Sequence, residues 1–490
     1  MEYDITKAKV LSSLFWKLLE RGGTQGIQFL ITLILARILL PEDFGLIVIV
    51  TVFITFGGII VESGLSTALI QKKEVDALDF SSVFYLNLCV AIVLYIILFL
   101  SAPLIGTFFE EPQLSSVIKV LSLTLFFGAF NSIQNAVIAR SMEFKNLFIS
   151  SLSGVILSGI VGILMAFADF GIWALVAQQL TRHLLVTIAL CITVRWRPSL
   201  KFSFKRVQLL FSYGWKLLIS SLIFSIYINL QSFIIGKMFN PALLGFYNRG
   251  MQFPSVIVDN INGSIQNVMF PALSAHQDNK QKVKEMTRRL IGMSSFIVFP
   301  MMMGLAIIAE PLMNVLLTEK WLPAVSFLQI FCAYYALWTI DVSNLQAVKA
   351  MGRSDIFLKL EIVKTVIGLT VLVISIQFGV HAMAFGVLLN GIIAAIIDGF
   401  PNRKLLNYRL SEQWKDVLPS FLLSCGMGSI IYCIKWVGMS DLLTIGVQII
   451  TGIILYVGLA KIFKIECFRY LQITLKSQKT KTVSIEGFET

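Results

Sequence analysis

Phe15-Trp16-Lys17-Leu18-Leu19 returns as Gly214-Trp215-Lys216-Leu217-Leu218, with one residue changed in five. A lysine placed twice in the same apolar context suggests a duplicated unit, and a true repeat should continue past five residues. It does. Leu40-Pro41-Glu42-Asp43-Phe44-Gly45 is echoed 200 positions later by Asn240-Pro241-Ala242-Leu243-Leu244-Gly245. Phe170-Gly171-Ile172-Trp173-Ala174 is echoed 208 positions later by Phe378-Gly379-Val380-His381-Ala382. The three matches keep chain order and fall at equivalent places, which predicts two homologous halves.

Composition says what kind of halves they are. The 490 residues are 57% hydrophobic and only 14% charged, against roughly 45–50% apolar residues in soluble domains. A bilayer core of about 30 Å takes roughly 20 helical residues, and apolar stretches of that length recur along nearly the whole chain. Backbone in lipid must satisfy its own hydrogen bonds, so these stretches are expected to be helices. They are continuous and much longer than the roughly ten-residue alternating strands of an outer-membrane barrel.

The expectation is an all-α polytopic membrane protein with about 14 transmembrane helices. The predicted spans lie near 12–36, 43–68, 80–104, 114–138, 147–168, 171–194, 210–236, 242–272, 285–308, 322–348, 355–377, 380–402, 416–436 and 441–463. The repeat groups them into two six-helix bundles plus two C-terminal helices. Six is even, so both bundles enter the membrane from the same side and are related by a pseudo-twofold axis along its normal. The corresponding divisions are an N-lobe at 1–200, a C-lobe at 201–405, the last two helices at 406–465 and a polar cytoplasmic tail at 466–490.

Orientation follows from the basic residues, which cytoplasmic loops retain. With the N-terminus inside, 29 of the 40 Lys and Arg residues fall on inner loops and tails or within about one turn of the inner end of a span, against four outside: Arg37, Lys237, Lys320 and Lys435. Both termini are therefore expected in the cytoplasm. The net charge of +12 reads as this topological signal plus attraction to anionic headgroups, and no nucleic-acid partner is expected. The first ten residues are polar and the first span is too long for the core of a cleavable signal peptide. The six cysteines, scattered in or beside apolar segments, predict no structural disulfide.

Enzymatic signatures are missing. No phosphate-binding G-x-x-x-x-G-K-[ST] loop is present. His183, His276 and His381 are too scattered to form a recognisable metal set, so no metal or other cofactor is expected. A membrane-embedded polymerase or ligase, the enzyme alternative, would need a large outer loop, and none is long enough. Two parallel-repeat bundles instead describe an alternating-access transporter with its substrate between the lobes.

Ionised side chains inside spans are the best guide to that substrate, since each costs about 2.5–3.5 kcal/mol near the bilayer centre and normally faces a cavity or a partner. The cations there are Lys17, Arg21, Lys119, Arg182, Lys216, Arg249 and Lys364; the acids are Glu20, Glu62, Asp259, Asp341, Glu361 and Asp398. Lys17, Arg21, Gln25 and Gln28 share one helical face. Span 7 repeats the device with Lys216, Ser220, Tyr227 and Gln231, and span 8 aligns Arg249, Gln252, Asn260 and Asn267, with Pro254 as a kink. Cations and amides along one face suit an anionic, hydroxyl-rich ligand.

The candidate substrate-binding residues are thus Lys17, Arg21, Gln25, Arg182, Lys216, Arg249, Gln252 and Asn260, with Glu62, Asp259 and Asp341 as candidates for coupling to an ion. Competing structural readings stand beside these. Lys17, Arg21, Lys119 and Lys216 lie near span ends and can snorkel to the headgroups. Lys364 and Glu361, three residues apart, can simply pair. Each acid could neutralise a cationic neighbour.

Three further segments carry a resemblance: Asn240-Pro241-Ala242-Leu243-Leu244-Gly245-Phe246-Tyr247-Asn248-Arg249, Phe270-Pro271-Ala272-Leu273-Ser274 and Glu319-Lys320-Trp321-Leu322-Pro323-Ala324-Val325. They resemble signature segments of the polysaccharide transporter family, within the multidrug/oligosaccharidyl-lipid/polysaccharide flippase superfamily. The resemblance runs over essentially the whole chain. It implies a flippase of the bacterial cytoplasmic (inner) membrane that moves undecaprenyl-diphosphate-linked oligosaccharide units outward for O-antigen, capsule or exopolysaccharide assembly. Its implied partners are the lipid-linked oligosaccharide, membrane lipids, a coupling H+ or Na+, and polysaccharide polymerase machinery. Two alternatives share the fold: a lipid-linked peptidoglycan precursor flippase, and a multidrug/cation antiporter. The antiporter fits less well, because organic cations prefer an acidic, aromatic cavity.

Overall fold

The computed structural model describes residues 7–62, 64–72, 74–194, 196–470 and 472, and these contain helix and no strand. The helices are α1 (Lys7–Ile38), α2 (Pro41–Glu62), α3 (Leu65–Gln71), α4 (Ala77–Phe109), α5 (Pro112–Leu121), α6 (Thr124–Ser141), α7 (Phe144–Phe167), α8 (Ile172–Thr193) and α9 (Phe204–Met238). They continue as α10 (Pro241–Ser274), α11 (Lys280–Ile307), α12 (Ala309–Leu317), α13 (Ala324–Ala350), α14 (Ser354–Ile376), α15 (Val380–Gly399), α16 (Asn402–Leu405), α17 (Leu410–Cys433) and α18 (Asp441–Ile462). The tail from 473 lies outside the described residues, as do the side chains of Tyr227 and Asn267.

Among the described residues, ten helical segments are long and apolar enough to cross a membrane. They are α2, α4, α5 with α6, α7, α8, α11, α13, α15 with α16, α17 and α18. An eleventh arises if Phe204–Ser212 and Gly214–Ile226 of α9 are taken together across a 55° bend. The remaining long helices, α1, α10 and α14, carry charged residues within their length, Lys17 and Arg21, Arg249 and Asp259, and Glu361 and Lys364, which lowers their apolarity. This is a polytopic, all-α membrane protein.

The chain divides into two compact units, residues 1–245 and 246–490. In the first, α7 packs against both α1 and α8, while α2 packs on α9 and α6. Leu65, Leu69, Phe80, Val83, Phe84 and Ile133 build a buried cluster beneath α3 and α4. Charged groups close that end. The fully buried Asp79 carboxylate is held by Lys72 at 2.7 Å and Arg206 at 3.1 Å, which meets the requirement that a buried charge be paired. Asp76 and Asp79 form the capping box that opens α4. The Asp79 backbone N–H, helped by Arg206 and Lys72, holds the Asp76 carboxyl below its ordinary range. A depressed carboxylate stabilises the folded state above its unfolded pKa and loses that contribution as pH falls, so this cap fades below about pH 4. Arg140 donates to the carbonyls of Leu69, Ile70 and Lys72 and so terminates α3.

The repeated motifs have repeated geometry. Pro41 and Pro241 each start a helix, where a missing N–H costs nothing. Just inside them, Gly45 and Gly245 pack reciprocally on the opposite motif. A Cβ on Gly45 would lie 1.8 Å from the Pro241 carbonyl oxygen, and one on Gly245 2.2 Å from that of Pro41. Gly171 and Gly379 both precede a helix, α8 and α15, with positive φ of 53° and 94°, a conformation glycine adopts without penalty.

In the second unit α13 is the central helix, packed on α11 and α15, with α17 lying on α11. The fully buried Tyr247 ring sits edge-on to Phe331 at 5.0 Å. Asn402 donates to Asn344 Oδ1 at 2.8 Å, and Asn344 donates to Gln413 Oε1 at 3.1 Å. This buried amide chain ties α17 to the helices before it. Tyr456 of α18 donates to the Phe296 carbonyl at 2.8 Å, so both C-terminal helices are fastened by hydrogen bonds where apolar contact alone would give little preference over lipid. Among the described residues, all six cysteines are free thiols.

Candidate functional site

In the first unit, α1 is one unbroken helix, so Lys17, Arg21, Gln25 and Gln28 do share its surface. Lys17 is exposed and pairs with Glu20 at 3.0 Å. Arg21 and Gln25 are exposed, with no hydrogen bond or ion pair among the described residues. Further along, half-buried Gln28 receives a hydrogen bond of 3.5 Å from Arg182 Nη1 on α8, and Glu20 is within electrostatic reach of that guanidinium. Two helices more than 150 positions apart in sequence thereby bring a guanidinium, a carboxylate and an amide onto one face. Lys216 on α9 is exposed, likewise with no side-chain partner among the described residues.

Arg249 has a different environment. It is only 5% exposed, donates to Gln252 Oε1, and holds its guanidinium 5.3 Å over the Trp321 ring. Trp321 belongs to one of the resemblance segments and Arg249 to another, so part of their shared pattern is a buried cation–aromatic contact. Asn260 is exposed and donates back to the Val256 carbonyl at 2.7 Å.

The three acids proposed for ion coupling lie on three different helices. Glu62 ends α2 in the first unit, exposed at the side chain. Asp259 lies on α10, within electrostatic reach of Tyr335. Asp341 on α13 is 5% exposed, and its Oδ1 is buried without a hydrogen bond.

Asp341 instead belongs to a cluster of charge. Lys364 on α14 binds Asp398 of α15 at 2.8 Å and Glu361 at 2.7 Å, and all three interact electrostatically with Asp341. Asp398 is fully buried, and its Oδ1 also lacks a hydrogen bond. Sequence spacing pairs Lys364 with Glu361 correctly but misses Asp398, which lies 34 residues away. The available signal was simply an ionisable residue inside an apolar helix. No group of three or more His, Cys, Asp and Glu residues among the described residues could hold a metal ion. Within this cluster the Lys364 ammonium already supplies the positive charge.

Comparison with known proteins places this geometry in context. The succinoglycan biosynthesis transport protein ExoT of Rhizobium meliloti (strain 1021) is 24% identical over 73% of this chain and 72% of its own. The lipopolysaccharide biosynthesis protein WzxC of Escherichia coli (strain K12) is 25% identical over 80% of this chain and 81% of its own. The lipid II flippase MurJ in an inward closed conformation superposes with a TM-score of 0.74 at 14% identity, over 92% of this chain and 98% of that one, which is a shared fold. Residues 34–326, more than half of the sequence, match the family model described as polysaccharide biosynthesis protein, and the chain belongs to that family.

Proposed function

We propose that this protein is a flippase that moves an undecaprenyl-diphosphate-linked oligosaccharide across the bacterial cytoplasmic membrane by alternating access, supplying O-antigen, capsule or exopolysaccharide assembly. The work is transport and needs no catalytic group. The observation that carries this reading is the meeting of Arg182 with Gln28 on the amide-bearing face of α1, in a chain whose family and relatives belong to polysaccharide biosynthesis. A planar guanidinium matches two phosphate oxygens at once. Amides offer both donors and acceptors to sugar hydroxyls. The prenyl tail needs only lipid.

In this reading Arg182, Arg21 and Lys216 supply the cations for the diphosphate, and Gln25, Gln252 and Asn260 supply glycan contacts. Lys17 shares its charge with Glu20, and Arg249 positions helices through Trp321 unless opening frees it. The architecture is fourteen spans, two pseudo-twofold-related bundles at 1–200 and 201–405 followed by two helices, with both termini in the cytoplasm. Coupling falls to the Asp341–Asp398–Lys364 cluster. Because Lys364 already occupies the cation position there, a proton suits the unpartnered carboxylate oxygens better than Na+. A polymerase receives the delivered unit.

Arg182→Ala removes the guanidinium while leaving α8 helical. The expected result is normal membrane protein and a loss of surface polysaccharide of at least tenfold in a complementation assay. Wild-type polysaccharide in that variant would remove Arg182 from the substrate site.

A further inference from the structure

The second unit contains a cavity of about 690 Å3 that the transport reading leaves unused. It lies at the start of α11, the start of α17 and the segment just past the end of α18. A turn built on Lys464, at φ 51°, ends α18: Ile465 N–H donates to the Ala460 carbonyl at 3.1 Å. The chain then runs back against α11, where a Cβ on Gly292 would meet Cys467 Sγ at 3.0 Å.

Its lining is amphipathic. Five cations contribute, against the three acids Glu285, Asp416 and Glu466. One of those acids is already used, since Asp416 binds Arg288 at 2.6 Å and accepts from Tyr408 at 2.8 Å. Arg289 stands 5.4 Å from the Tyr470 ring. Lys415, Lys464 and Arg469 are exposed, and their side chains make no hydrogen bond or ion pair among the described residues. Met293, Pro419 and Phe463 give the same cavity an apolar floor. The helix ends that form it belong to the side whose loops carry the Lys and Arg excess, which is the cytoplasmic headgroup level.

We propose that this cavity binds an anionic glycerophospholipid of the surrounding bilayer, its phosphodiester among Arg289, Lys464 and Arg469 and the first carbons of its acyl chains on the apolar floor. A basic pocket between helices at the cytoplasmic surface is the setting in which such headgroups are held. The apolar floor selects a lipid over free phosphate, which would gain nothing from it. The site lies in α11, α17 and the post-α18 segment, separate from the residues assigned to the oligosaccharide. Bound there, the lipid fastens the segment just past α18 to α11 and α17.

The test uses purified full-length protein in a neutral detergent, titrated separately with phosphatidylglycerol, phosphatidylcholine, an undecaprenyl diphosphate and inorganic phosphate. Binding is read by native mass spectrometry and by thermal shift. Phosphatidylglycerol should bind and raise the melting temperature, with phosphatidylcholine and phosphate at least tenfold weaker. The triple variant Arg289→Gln, Lys464→Gln, Arg469→Gln should lose at least tenfold in affinity. Because Lys464 and Arg469 are exposed, Lys464→Gln and Arg469→Gln singly keep the fold and should each weaken binding severalfold, which covers an unstable triple variant. Equal binding of phosphatidylcholine, a response to phosphate alone, or unchanged affinity in all variants would overturn the proposal. So would undecaprenyl diphosphate binding more tightly at these residues than phosphatidylglycerol, which would make the cavity a substrate site.

Discussion

Replacing Lys364 by methionine is expected to destabilise the protein by about 3–5 kcal/mol, the cost of stranding a buried charge when its partner is removed. Lys364 is 14% exposed at its side chain and compensates Asp398, which is fully buried, while Asp341 stands close by. Without the ammonium, two carboxylates face an apolar interior, and total stability of a domain is only about 5–15 kcal/mol. The double variant Lys364→Met, Asp398→Asn removes both members of the main pair and should recover most of the loss. Thermal unfolding of detergent-purified protein measures this, with a Lys364→Met melting point many degrees below that of the double variant. Equal melting points for the single and double variants would show that no buried pair exists. The neighbouring Asp341→Asn tests coupling separately. It keeps the fold, and it should flatten the pH dependence of transport in proteoliposomes if this carboxylate carries the proton.

Adding one methyl group at Gly45 is expected to be nearly as damaging. An alanine Cβ there would sit 1.8 Å from a backbone carbonyl oxygen, and backbone cannot turn aside as a side chain can. The ends of α2 and α10 must separate, with an expected cost at or above the usual 1–3 kcal/mol for overpacking. Gly245→Ala should behave alike. The two together should cost less than their sum, because one separation relieves both clashes. Gly58 is the control, since nothing lies within 4 Å of a Cβ there. Gly58→Ala should be neutral or stabilising, as alanine favours helix by about 1 kcal/mol over glycine. The measurement is again the melting temperature, beside the amount of protein in membranes. Wild-type behaviour of Gly45→Ala would mean that the two motifs do not touch.

Local pattern was readable in the sequence, and long-range partnership was not. The apolar runs predict helix along most of the chain because a backbone in lipid has few alternatives, but the span read over 43–68 is divided between α2 and α3 and that over 114–138 between α5 and α6. The α1 stripe was legible because 3.6-residue spacing puts Lys17, Arg21, Gln25 and Gln28 on one side, and the Gly171 and Gly379 echo marked two matching helix starts. What spacing cannot give is a contact between distant segments. Asp398 meets Lys364 across 34 residues, Arg249 meets Trp321 across 72, and Arg182 meets Gln28 across 154. The Gly45 and Gly245 contact could have been suspected, since both glycines hold the same place in the repeat, but repetition alone does not say that the copies touch. The residues past α18 looked like a featureless polar tail. Only the turn at Lys464 folds their cations back onto α11 and α17.

The central claim concerns which leaflet holds the substrate, and it is tested by locating lipid-linked oligosaccharide in a strain deleted for this gene, using a membrane-impermeant lectin or glycosyl hydrolase. The account predicts accumulation on the cytoplasmic side, with the wild-type gene restoring outward delivery and Arg182→Ala failing to do so. Normal outward delivery in the deletion strain, with no second flippase present, would contradict it.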